Sequence, residues 1–75
     1  MRISKRLIRR VADNLISKKG VVSQYEIHEE IERKLGRSLT TGEKVRITLI
    51  LRNEYIVDRV DVEKDSRIKI EFFTI

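Results

Sequence analysis

The sequence predicts an α+β domain in which three helices precede a C-terminal two-stranded β-hairpin. Three observations carry this prediction. An apolar stripe of helical period runs through the first twenty residues, two capping boxes of the form Ser/Thr-x-x-Glu follow it, and the last twenty residues are rich in alternating β-branched side chains. Seventy-five residues make one domain, 1–75, too short for a doubly wound sheet or a (β/α)₈ barrel.

The first helix is expected over about residues 4–18. Ile3, Leu7, Ile8, Val11, Ala12, Leu15 and Ile16 recur at helical spacing, and the positions between them are nearly all charged or polar. Gly20 is the natural stop, and Lys18 and Lys19 suit the negative end of the helix dipole. Val21 and Val22 then make a short β-like bridge. Ser23-Gln24-Tyr25-Glu26 is a capping box, with Val22 and Ile27 placed as a hydrophobic staple. Ile27, Ile31 and Leu35 continue at i, i+4, i+8, and Gly36 closes a second helix over about 24–35.

The third segment admits two readings. Thr40-Thr41-Gly42-Glu43 is a second capping box, and Asn53 suits a helix end. Against this, Val45, Ile47, Leu49 and Leu51 alternate with period two, which would give two helices on a three-stranded meander. On a helical wheel the apolar residues split into the arcs Val45/Leu49/Ile56 and Ile47/Ile50/Leu51, as a helix packed on two sides would show. The capping box and the hairpin that follows favour a helix over about 41–53. Hairpin strands are expected over about 55–62 and 67–74, joined by Glu63-Lys64-Asp65-Ser66, with Ile68, Ile70 and Phe72 on one face.

Composition excludes several function classes. Without cysteine there is no disulfide, thiolate metal site or thiol nucleophile. No stretch approaches the ~18 consecutive apolar residues of a membrane span, and the N-terminus lacks an apolar signal core. The expectation is a soluble cytoplasmic domain without a membrane partner. A single core in a domain of this size supplies only about 3–5 kcal/mol, so a homodimer or a bound protein partner is expected. Abundant charge and Ile with few Asn and Gln fit a thermophile. The net charge of +5 is unevenly spread: +6 over residues 1–20, −2 over 21–36, +2 over 37–55 and −1 over 56–75. A polyanion responds to such local concentration more than to the total.

The order helix, short strand, helix, turn, helix, hairpin resembles the winged helix-turn-helix family of DNA-binding domains, over nearly the whole chain. The resemblance is carried by Ile27, Ile31 and Leu35-Gly36, by Val45 and Leu49, by Tyr55-Ile56-Val57 entering the hairpin and by Lys64-Asp65-Ser66-Arg67 at its tip. Small regulators of archaea and their viruses are similar in size and composition. The position before the first wing strand, commonly Gly in the family, falls here on Asn53-Glu54. The resemblance implies sequence-specific binding of double-stranded DNA by a small transcriptional regulator, nucleoid-associated or in a viral host's cytoplasm, with the third helix in the major groove. The reading residues it implies are Lys44, Arg46, Thr48 and Arg52, with Arg37, Ser38, Thr40 and Thr41 near the helix start. Lys64, Ser66 and Arg67 would serve in the wing, and Arg6, Arg9 and Arg10 on the phosphates.

Each of these residues has a plainer reading. Arginines on an amphipathic helix usually form its solvated face, Thr40 and Thr41 cap, and Lys64 and Arg67 keep a turn soluble. Tyr55, Phe72 and Phe73 are expected in the core or at a dimer contact, and an exposed Phe73 or Ile75 would mark a partner surface. His28-Glu29-Glu30-Ile31-Glu32 begins like a zincin helix, but Glu32 stands where the second His belongs. His28 is therefore read as a surface or boundary residue, and Glu26, Glu29, Glu30 and Glu32 as a solvated face. No phosphate loop, nucleophile elbow or metal-ligand set is recognisable, so neither an enzyme nor a cofactor is expected. The alternative to DNA binding is a protein-interaction module on the same scaffold.

Overall fold

A computed structural model of the chain describes residues 3–64 and 67–73. It contains α1 (Lys5–Lys19), β1 (Val22–Ser23), α2 (Gln24–Leu35), α3 (Thr41–Glu54), β2 (Ile56–Val62) and β3 (Ile68–Phe73). The strands form one antiparallel sheet in the order β1-β3-β2, so the C-terminal hairpin is joined to the helices through its second strand. This α+β arrangement is compatible with a winged helix.

Local chemistry sets the boundaries. Ser4, which the periodicity places inside the first helix, is its N-cap: its hydroxyl accepts from Leu7 N at 3.1 Å. The helix ends at Gly20 and the second at Gly36, both with positive φ. Both capping boxes form, through Ser23 with Glu26 and Thr40 with Glu43. Residues 41–54 are helical, which decides the contested segment against the strand. Tyr55 caps α3 by donating its N–H to Leu51 O and stays out of the first wing strand. Residue 74, the predicted end of the second wing strand, lies outside the described residues.

The core forms where the three helical stripes meet. Ile8, Val11, Ala12 and Ile16 of α1 pack with Ile27 and Ile31 of α2 and Ile47 and Leu51 of α3. Val22 and Phe72 bring the sheet onto that cluster, and both are almost fully buried. Tyr55 is also buried. Its hydroxyl donates to Asp13 Oδ1 at 2.5 Å, with the Arg9 carbonyl as a longer acceptor at 3.2 Å, which ties the end of α3 to α1. Burial, reinforced by the Asp13 carboxylate, pushes the Tyr55 phenol well above its ordinary range.

The hairpin is attached by a device that the periodicity does not reveal. β1 has only two residues, pairing Val22 with Phe72 and Ser23 with Glu71. Where a longer strand would continue, Gln24 extends the ladder with its side chain. Its Oε1 accepts from Ile70 N at 2.7 Å and its Nε2 donates to Ile68 O at 2.6 Å. Tyr25 adds a hydroxyl bond to the same Ile68 carbonyl at 2.9 Å.

Replacing Gln24 with Leu leaves the Ile70 amide without its acceptor, while Tyr25 still serves the Ile68 carbonyl. Urea denaturation should show a loss of about 1–3 kcal/mol, the usual penalty for a stranded buried donor. Hydrogen exchange at the Ile70 amide should accelerate more than exchange in α1.

Candidate nucleic-acid interface

The candidate interface centres on the solvent face of α3. Thr41, Lys44, Val45, Thr48, Leu49 and Arg52 fall on adjoining rows of one helical face, at spacings of three, four and seven residues. All but the half-buried Thr48 are exposed. This face forms one wall of a groove of about 760 Å³ whose other walls are α2 (Gln24, Tyr25, His28, Glu29, Glu32) and β3 with its approach (Arg67, Ile68, Ile70). The opposite flank of α3 is held against α1. There Glu54 pairs with Lys5, and Arg46 Nη1 donates to Ile3 O at 2.6 Å. The hydrogen bond and charge of Lys5 hold the Glu54 carboxyl below its ordinary range.

The predicted site residues therefore separate into groups. Lys44, Thr48 and Arg52 come together on the groove face, with Thr41 at its N-terminal end and Arg67 across from them. Arg46 stands on the α1 flank, tethered to the segment before that helix. Arg37 grips Glu43 with two bonds of 2.9 and 2.8 Å and also donates to Ser38 O. Its guanidinium, together with the Thr40 backbone, holds the Glu43 carboxyl down at about 2. The Thr40 hydroxyl is engaged as N-cap at 3.2 Å from Glu43 N, and Ser38 is exposed in the turn. Arg6, Arg9 and Arg10 line a separate concavity on α1 with Lys5 and Asp13, outside the groove. Lys64 is exposed near the wing tip beside Tyr25, Glu29, Glu63 and Arg67. Ser66, Ile75 and the Phe73 side chain lie outside the described residues.

Three expectations need correction. Of the surface and boundary readings of His28, the surface one fails: it is only 6% exposed, on the side of α2 turned to α3, with Nε2 3.4 Å from Thr48 Oγ1. Apolar spacing gives no sign of this, because the contact is polar and crosses between helices. The Glu cluster of α2 is not simply a solvated face either. Glu26 pairs with Lys19, Glu30 with Arg33, and Glu32 Oε2 accepts from Leu39 N at 2.7 Å, so that among the four only Glu29 is exposed. Finally, α3 is not packed on two sides: Ile47 and Leu51 are buried, whereas Val45 and Leu49 are 54% and 53% exposed.

Electrostatics on α3 follow from these contacts. Both of its acids are matched by cations from outside the helix, Glu43 by Arg37 and Glu54 by Lys5. Among the described residues, Lys44 and Arg52 have no ion-pair partner, and neither do Arg6, Arg9, Arg10 and Lys64. No group of three or more His, Asp or Glu side chains suited to a metal occurs among the described residues. Among the described residues, no helix is long and apolar enough to cross a membrane.

Burial, with Lys44 nearby, holds the His28 imidazole below its ordinary value of 6.5. The folded chain thus favours the neutral ring, and the unfolded chain binds the extra proton. The His28 contribution to stability is complete above pH 6.5 and declines as the pH falls below it. The thermal midpoint should drop between pH 7 and 5.5, a window above the carboxylate titrations. The His28→Gln variant should show a flatter profile there.

Compared with protein-family models, curated proteins and solved structures, the chain matches none.

Proposed function

We propose that this chain binds double-stranded DNA in the manner of a winged helix, as a small transcriptional regulator that places α3 in the major groove. The observation that carries the reading is the charge state of α3. Its acids are occupied by Arg37 and Lys5, so the face turned to solvent offers Lys44 and Arg52 and no carboxylate of its own. Lys64 and Arg67 of the wing border the groove region, and the α1 arginines add a second basic surface for phosphates. Lysine and arginine at these places favour a polyanion, and arginine can also engage a guanine edge through two bonds.

A second reading, a protein-docking module, draws on the hairpin. Val60, Val62 and Ile68 are 57%, 74% and 54% exposed, more aliphatic surface than a solvated turn requires. A stable protein complex indifferent to added duplex would favour it.

Gel-shift titrations against random-sequence duplexes should show binding that weakens steeply with salt, because each neutralised phosphate releases counterions. Replacing Arg10 with Ala should weaken all duplexes alike and lower the salt slope by about one. Replacing Arg52 should instead cost roughly 1–3 kcal/mol on a selected site and relax its sequence preference. Absence of any retarded complex at low salt would overturn the proposal.

A further inference from the structure

Resting on the duplex-binding reading, we infer that the apolar ridge on α3 recognises the C5-methyl groups of thymine in the major groove. Val45 and Leu49 stand one turn apart near the middle of the solvent face of the helix, each more than half exposed. They are not stray surface aliphatics. Lys44 and Arg52 bracket them along the helix, and Thr41 and Thr48 fill the adjoining positions. A face of this kind offers apolar contact in the centre and positive charge at both ends. In the major groove that combination meets a methyl group on each thymine and phosphates on either side.

Charge complementarity separates this occupant from the others. A second copy docked ridge to ridge about a two-fold axis sets the Lys44 of each copy towards the Arg52 of the other, a like-charge arrangement. The carboxylates that line the groove with the ridge belong to α2: Glu32, already occupied by Leu39 N, and the exposed Glu29. A basic, apolar-centred helix face lacking its own free acid is suited to an anionic partner that carries small apolar groups, and duplex DNA with thymine is such a partner.

The test uses alternating copolymer duplexes that differ only in the methyl group. One pair is poly(dA-dT) against poly(dA-dU), and the other is poly(dG-dC) against its 5-methylcytosine counterpart. Within each pair the methylated duplex should bind more tightly, by ~4-fold for each methyl taken out of water, from roughly 0.8 kcal/mol per buried carbon group. The double variant Val45→Ala, Leu49→Ala changes only exposed positions of a helix and should fold. It should still bind every duplex while the ratio within each pair moves towards one. Equal affinities within both pairs for the unaltered chain, or a ratio that survives in the double variant, would overturn the inference and leave duplex binding standing. Failure to bind any of the four at low salt would overturn both. Light scattering that shows concentration-dependent association abolished by the double variant would assign the ridge to a second copy instead.

Discussion

The second strand of the hairpin is held to the helices through one short seam, and the sheet's cover of the core depends on it. β1 ends after Ser23 because the same serine caps α2, so the backbone turns into a helix where a strand would continue. Gln24 resolves the conflict by lending its side-chain amide to the ladder, meeting the N–H of Ile70 and the carbonyl of Ile68. With that edge of β3 satisfied, Phe72 lies buried on the helical core beside Val22. Loss of the seam would leave polar backbone buried without partners and remove the aromatic cover of the core together. The third strand, β2, is tied in only through β3 and the end of α3, and its aliphatic side chains are correspondingly exposed.

The seam also explains the open face of α3. The helix contributes Ile47 and Leu51 to the core, and its flank is fixed to α1 by Arg46 and by Glu54 with Lys5. Its start is fixed to the preceding turn by the Thr40 capping box, with Arg37 clamped on Glu43. Because β3 is drawn towards α2, the sheet approaches α3 from one side and leaves a groove there. Val45 and Leu49 are left without cover. An apolar residue on a helix normally finds an opposing surface; here the groove between helix and wing is the space where such a surface would sit.

Much of the fold was legible because it is written in local chemistry. Ser23 with Glu26, Thr40 with Glu43, and the glycines at 20 and 36 act within a few residues of themselves, so their spacing suffices to place three helices. The alternation of Ile68, Ile70 and Phe72 likewise placed the hairpin face. The contested segment shows where periodicity stops being informative. Residues 45–51 satisfy a strand period as well as two helical arcs, and the capping box and the hairpin that follows arbitrate. What periodicity could not reveal are polar contacts across long separations: Gln24 to β3, Tyr55 to Asp13, His28 to Thr48, Arg46 to Ile3. In each, a polar group of a side chain is matched by a backbone or side-chain group brought near only by folding. The candidate site was legible as a set of residue types, but not in its division into a groove face, an α1 flank and capping groups.

Charge counting along the chain and charge on the folded surface differ for the same reason. Residues 37–55 sum to +2, a modest excess that invites little inference by itself. Folding redistributes that sum. Arg37, which precedes α3, is spent on Glu43, while Lys5 comes from α1 to meet Glu54, so the helix exports its negative charge into contacts on its inner flanks. Lys44 and Arg52 then face solvent with no acid of their own helix to answer them. The Arg37 bond serves two ends at once, since the carboxylate it holds also accepts from Thr40 N at the helix start. One ion pair thus fixes where α3 begins and removes an acid from the field around it. A substitution at Arg37 would release that acid beside the basic face. The change in the field is that of one lost positive charge, and an anionic partner would feel it although Arg37 itself is turned towards the capping box.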